Sequence, residues 1–218
     1  MTTAMPAPVH PVAVLEDERL QQARLLSTAT LHEAYDQRGA LPSSIRPIKR
    51  QMNFAGRALP VRCPLGDNLW IHKALVEAQP DDVLVVDAGD GREYGYWGEV
   101  MATMGLSRGI AGLVITGGVR DTMRLIELGL PTFSAGIAIL GTAKNPMRDG
   151  AVGEPVRIGE TTIRRGDLVV GDADGIFVCA VQDAAHVLDL AEERDRTEVE
   201  IIAQLRSGAT TMQIYGLK

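Results

Sequence analysis

The sequence predicts an α/β protein with a parallel core and an added antiparallel β layer. Three observations carry that expectation. Between residues 82 and 140, short buried-type apolar runs alternate with helical stretches, the rhythm of parallel strands joined by right-handed crossovers. After Gly150 the texture changes to short β-type runs separated by tight turns. The chain then carries a long, highly charged helical segment from Gln182 to Ser207.

The elements follow in order. From Glu16 to Tyr35 the apolar residues Leu20, Ala23, Leu26, Leu31 and Ala34 recur at helical steps, and Ser27 and Thr28 interrupt them and cap a second helix. Arg57–Arg62 alternates as a short strand, with Pro60 expected near an edge because it donates no ladder hydrogen bond. Asp67 caps a helix through Ala78 that Pro80 ends. Val83–Val86 is a buried strand, Asp87–Gly91 a turn and Trp97–Leu106 a helix. Ala111–Thr116 is the second strand, Gly117–Gly118 a turn and Asp121–Leu128 a helix. Pro131–Leu140 is a third strand with a glycine break. Val156–Ile158 and Thr161–Ile163 flank Gly159–Glu160 as a hairpin, and Leu168–Val170 and Ile176–Val178 flank the tight connection Gly171–Gly175.

Composition narrows the function. The 218 residues are 45% hydrophobic and 23% charged, which is globular. No apolar run approaches the roughly 20 residues of a membrane span. The formal charge of −6 argues against a broad nucleic-acid footprint. Cys63 and Cys179 are far apart without metal spacing, as befits buried thiols in a reducing cytoplasm. His32, His72 and His186 do not form a metal-site spacing, and His10 lies in the first segment. Residues 1–14 hold three prolines and no basic leader, and read as a loose arm before one domain over residues 15–218.

Two glycine-rich turns invite ligands. Asp87-Ala88-Gly89-Asp90-Gly91 after a strand suggests a methyltransferase loop, but Glu93 stands where a third glycine belongs, and no acidic residue ends the next strand to hold a ribose. The alternative is that Gly89 and Gly91 simply make the turn, or that the loop lines another anion site. The stronger constellation joins Glu99, in the first turn of one helix, to Arg120 and Asp121 at the next strand-to-helix turn. In an open α/β sheet both turns fall at the carboxyl edge, where ligands bind. There the first-turn amides of Val100 and Met101 suit a carboxylate. Arg120 suits an oxyanion, and Asp121 suits a hard divalent cation that keeps most of its waters. Individually, Asp121 also reads as an N-cap, Glu99 as a helix-dipole residue, Arg120 as a surface cation and Trp97 as core.

At these residues the chain resembles the RraA-like family and its class II pyruvate aldolases, the 4-hydroxy-4-methyl-2-oxoglutarate and 4-carboxy-4-hydroxy-2-oxoadipate aldolases. The family pattern is an acidic residue, twenty residues, then Arg-Asp; here it is Glu99, twenty residues, Arg120-Asp121. Asp67-Asn68-Leu69, Pro80–Asp87, Arg108–Gly112, Gly129–Phe133 and Gly171–Gly175 extend the likeness from about Ser27 to the C-terminal helix. The resemblance implies a swivelling-domain-like layered α/β/β sandwich assembled as homotrimers or homohexamers. It implies Mg²⁺ or Mn²⁺ on Asp121, Arg120 on the substrate carbonyl oxygen, the Val100 and Met101 amides on the carboxylate of a small 2-oxo acid, and Glu99 organising water. It also implies an acid lent by a neighbour's C-terminal helix, for which Glu193 and Glu198 are the candidates. The implied activity is retro-aldol cleavage to pyruvate, with oxaloacetate decarboxylation alongside, in the cytoplasm. Another branch of the family binds and regulates ribonuclease E without catalysis. One departure is that the aldolases carry Asp where this chain has Glu99, a methylene that moves the carboxylate by about 1 Å.

Overall fold

The computed structural model describes residues 15–217, so the arm expected over residues 1–14 lies outside the described residues. Helices α1 (Asp17–Ala23) and α2 (Thr28–Ala34) come first, and the Ser27 side chain accepts from the Thr30 amide as the cap of α2. Strands β1 (Arg46–Pro47) and β2 (Phe54–Arg62) lead to α3 (Leu69–Glu77). The α/β core runs through β3 (Asp82–Asp87), a 3₁₀ turn at Gly91–Glu93, β4 (Gly95–Trp97), α4 (Glu99–Arg108), β5 (Gly112–Val119), α5 (Thr122–Leu128) and β6 (Thr132–Ile137). The remainder is β7 (Ala151–Val152), β8 (Val156–Ile158), β9 (Thr161–Ile163), β10 (Leu168–Gly171), β11 (Ile176–Cys179), α6 (Val181–Arg206) and α7 (Thr211–Ile214).

One mixed sheet has the order β1-β6-β5-β3-β2-β10-β11, with β4 beside β5 and β7 beside β2, while β8 and β9 form a separate hairpin. The strands β2, β3, β5 and β6 are parallel neighbours, as the α/β rhythm requires. The antiparallel strands β10 and β11 extend the sheet on the β2 side. Strand alternation divides the core. Leu84, Val86, Leu113 and Ile115 pack with Ile71, Leu75, Ala102 and Leu125 of α3, α4 and α5. Val83, Val85 and Val114 face the hairpin residues Val156, Ile158 and Ile163. A third cluster joins α1, α2 and α6 to β10 and β11 through Leu31, Leu168, Phe177, Val187 and Leu188. The result is the layered α/β/β sandwich with a parallel core and antiparallel C-terminal strands.

Four details differ from the sequence reading. The strand around Pro60 is a nine-residue central strand. Pro60 is tolerated because it sits where the neighbour on one side changes: β10 pairs with residues 54–57 and β7 with 61–62, while the Pro60 carbonyl accepts from the Gly153 amide at 2.8 Å. Residues 95–97 form β4, so the helix expected from Trp97 starts at Glu99. Gly117 and Gly118 lie inside β5, not in a turn. A Cβ on Gly117 would meet the Tyr96 ring at 2.7 Å, and one on Gly118 the Arg92 carbonyl at 2.5 Å, so these glycines admit the 3₁₀ turn and β4 against the sheet. The third strand is shorter than Pro131–Leu140, ending at Ile137.

Asp67 does cap α3, one residue earlier than a standard N-cap: its fully buried carboxylate accepts from the Leu69 amide at 2.9 Å. Residues Gly39 to Leu41 run along the last strand, with Val178 donating to Gly39 O and Leu41 to Ile176 O. Both cysteines are buried free thiols, and burial pushes each pKa up to about 12. No helix among the described residues is long and apolar enough to cross a membrane.

Gly118→Ala is expected to destabilise the protein by about 1–3 kcal/mol, because the added methyl meets backbone that cannot move aside singly. Denaturant unfolding measures this. A wild-type midpoint would show that β4 shifts freely.

Candidate active site

The carboxyl ends of β4 and β5 converge because Trp97 pairs with Val119 and the Arg120 amide donates to Trp97 O at 2.8 Å. This crossing brings two helix starts side by side. The first is α4, with Gly98 as its N-cap in an extended conformation. The second is α5, preceded by Asp121 at φ 56°, a left-handed backbone that few non-glycine residues adopt. Asp121 occupies the N-cap position of α5, yet its side chain makes no cap bond there. Its Oδ2 turns across to α4 and accepts from the Glu99 amide at 3.2 Å. The capping interaction foreseen for Asp121 therefore exists, but on the neighbouring helix.

Gly98 makes this approach feasible, since a Cβ there would overlap Asp121 Oδ2 and press on Arg120 Cγ. Gly95 serves Arg120 likewise: a Cβ at Gly95 would lie 3.1 Å from Arg120 Cβ. Arg120 Nε stands 3.9 Å from Asp121 Oδ2, with both side chains about half exposed, a loose pair that leaves the guanidinium fork free for another oxyanion. In α4 the first helical bond is donated by Ala102 to Gly98 O, so the Val100 and Met101 amides precede the hydrogen-bonded ladder. The Val100 side chain is 81% exposed, whereas Met101 is buried and anchors the turn. Glu99 is exposed on the same turn, within electrostatic reach of Arg124 on α5. Trp97 is core, fully buried.

Glu99, Val100, Met101, Arg120 and Asp121 thus share one open shelf. Glu193 and Glu198 do not join it within the chain. They are exposed on α6, whose buried residues pack by β10 and β11, and β11 is four places from β5 in the sheet order. Glu198 lies 3.5 Å from Arg194, which also pairs with Glu33. A groove of about 660 Å³ lies elsewhere, lined by Tyr35, Arg38, Glu160, Thr162 and Arg164. It holds Arg38, Glu160 and Arg164 but none of the shelf residues.

The Asp87–Gly91 loop closes on itself. Ala88 N donates to Thr116 Oγ1, Gly89 N to Asp87 Oδ1 and Gly91 N to Ala88 O, and a Cβ at Gly91 would strike Tyr96. Its glycines make a turn and room for an aromatic ring. Three residues had no role in the sequence reading: Gly95 and Gly98, which grant close approach, and Asn68, whose side chain touches Tyr96 and Met101. The Asp-Asn pair opening α3 was the available signal for Asn68.

The donor set bears on which metal fits. Among the described residues no group of three or more His, Cys, Asp or Glu side chains is placed to hold an ion. A single protein carboxylate is the ligand set of a hard cation that keeps most of its waters.

The family model described as RraA-like, Aldolase/RraA, matches residues 28–178, and the chain belongs to that family. It is 34% identical over 179 residues to a Halalkalibacterium halodurans protein provisionally named 4-hydroxy-4-methyl-2-oxoglutarate aldolase, covering 82% of this chain and 84% of that one. A crystal structure of an uncharacterized Pseudomonas syringae protein superposes with a TM-score of 0.85 at 27% identity, over 99% of this chain and 100% of that one. A Streptomyces coelicolor protein, described as an unusual member of the RNase ES inhibitor RraA family, superposes with a TM-score of 0.75 at 27% identity, over 86% of this chain and 97% of that one.

Gly98→Ala is expected to push the Asp121 carboxylate off the Glu99 amide and speed hydrogen exchange there about tenfold, a loss of ~1.4 kcal/mol. Unchanged exchange at Glu99 would mean that its N–H does not depend on Asp121.

Proposed function

We propose that this chain is a divalent-metal-dependent carbon–carbon lyase that cleaves a 4-hydroxy-2-oxo acid to release pyruvate, with oxaloacetate decarboxylation as a side activity. The observation that carries the reading is the Asp121 carboxylate held between the Glu99 amide and the Arg120 guanidinium, next to two helix-start amides. That juxtaposition offers a cation ligand, an oxyanion partner, a carboxylate cradle and a second acid at two neighbouring helix starts. The aldolase name of the H. halodurans relative supports the same reading.

The Val100 and Met101 amides bind the C1 carboxylate and orient the substrate. Arg120 holds the C2 carbonyl oxygen and stabilises the negative charge that grows there as the C3–C4 bond breaks. Glu99 accepts the C4 hydroxyl proton through a water, and the C3–C4 bonding pair moves into the enolate. The same proton returns to C3 to complete pyruvate. Asp121 holds Mg²⁺ or Mn²⁺, which when bound supplies Lewis-acid polarisation of the 2-oxo acid. Decarboxylation of oxaloacetate yields the same enolate with CO₂ leaving in place of the carbonyl product; no C4 hydroxyl proton is released there, so C3 takes its proton from solvent through the water at Glu99.

Homotrimeric or homohexameric assembly fits this scheme. The shelf is open, and α6 carries Glu193 and Glu198 on a half whose side chains are not buried in the chain's own core. A neighbour's α6 would then add an acid and close the site against water. A second reading, a non-catalytic regulator that binds ribonuclease E, rests on the likeness to the S. coelicolor protein.

Pyruvate release from a panel of 4-hydroxy-2-oxo acids and oxaloacetate tests the proposal. EDTA and Asp121→Asn are each expected to abolish turnover nearly completely; full turnover in either case rejects the metal role. Without activity under any divalent metal, binding to a ribonuclease E fragment becomes the favoured function.

Arg120→Lys keeps the charge and loses the planar fork, and is expected to lower kcat by about 3 kcal/mol in transition-state stabilisation while the melting temperature holds. Unchanged kcat with a lower melting temperature makes Arg120 structural. Glu99→Gln is expected to be more damaging than Glu99→Asp, because glutamine cannot accept the proton. Equal, wild-type pyruvate release from both variants removes Glu99 from proton transfer.

A further inference from the structure

Behind the shelf lies a buried amide that none of the roles above uses. Asn68 is only 5% exposed. Its Nδ2 donates to Tyr96 O at 2.8 Å and lies 3.5 Å from Met101 Sδ. Tyr96 belongs to β4 and Met101 to the first turn of α4, so the contacts straddle Gly98, where the backbone has least steric restraint. Asn68 is itself firmly held. Its N–H donates to Ala143 O and its carbonyl accepts from the Ile71 and His72 amides. The neighbouring Asp67 carboxylate accepts from Leu69 N at 2.9 Å and Asn145 N at 2.7 Å.

We propose that Asn68 is a positioning residue that holds β4 and the first turn of α4 in fixed relation, and thereby aims the Val100 and Met101 amides. The other half of its side chain sharpens the case. Asn68 Oδ1 is buried without a hydrogen-bond partner among the described residues. An amide with one polar atom orphaned is a poor way to fill core volume. The side chain is accounted for by the one strong bond it makes, across the Gly98 joint. That this aim serves a substrate carboxylate rests on the function proposed above; the mechanical role does not.

The test uses the full chain and two variants. In Asn68→Ala, amide hydrogen exchange across residues 98–103 is expected to accelerate about tenfold relative to wild type, the loss of one buried hydrogen bond, while residues 69–77 keep their protection. In pyruvate release, KM is expected to rise by a similar factor with kcat within about twofold, because a carboxylate cradle binds ground state and transition state alike. Asn68→Asp adds a pH readout. A protonated carboxyl can donate to Tyr96 O and an ionised one cannot, so the exchange ratio to wild type should grow as pH rises through the new group's titration. Wild-type exchange at 98–103 in Asn68→Ala overturns the proposal, as does acceleration confined to 69–77, which would make Asn68 only the start of α3. Should Asn68→Ala not fold, a pH-independent ratio in Asn68→Asp overturns it instead. If wild type releases no pyruvate, the proposed activity fails, and the exchange data still decide the role of Asn68.

Discussion

The structure of the site depends on one short crossing: the Asp121 carboxylate reaching from the start of α5 to the first amide of α4. A helix N-terminus needs acceptors for its leading N–H groups, and α4 takes one from another helix. That debt ties two βα units together at their carboxyl ends. The cost is a left-handed backbone at Asp121. What the exchange secures is a carboxylate, a guanidinium and two free amides in one place, all at ends of rigid elements. Strands β4 and β5 deliver the same geometry from beneath, through the Arg120 amide on Trp97 O.

Close approach is the second requirement, and glycine meets it. Gly95 and Gly98 leave room for Arg120 and Asp121 above, while Gly117 and Gly118 let Tyr96 and the Arg92 backbone lie against the sheet below. Glycines in β4, directly after it and in the adjoining β5 thus permit the close contacts around the site. A three-residue strand has little area of its own with which to hold position. Its placement comes from neighbours: Tyr96 OH accepts from the Gly66 amide at 2.6 Å, and the Tyr96 carbonyl accepts from Asn68.

How much of this was legible in the sequence follows from how local each signal is. The βα rhythm put Glu99 and Arg120-Asp121 at successive carboxyl-edge turns, and the Ser27 cap and the β8–β9 hairpin are written in adjacent residues. The β4 strand was not legible, because three residues show no period, and Trp97 reads equally well as the opening of a helix. Gly117-Gly118 reads as a turn because what demands glycine there, the Tyr96 ring at Gly117 and the Arg92 and Tyr94 carbonyls at Gly118, is remote in the chain. The direction of Asp121 turns on a single backbone angle, and no composition rule sets that. On α6, Leu188 and Ala191 are buried, whereas Val199 and Ile202 are exposed, since the body of the protein ends before the helix does.

The segment Gly39 to Leu41 lies along the outer side of β11. It occupies backbone groups that a last strand would otherwise present to solvent. At the far side of the sheet, β1 is only two residues long. A sheet blunted in this way at both margins offers little template for another strand. Copies of this chain thus have poor means of joining by continuing the sheet from molecule to molecule. Association by strand addition is thereby disfavoured, which leaves side-chain surfaces as the material for any contact between copies.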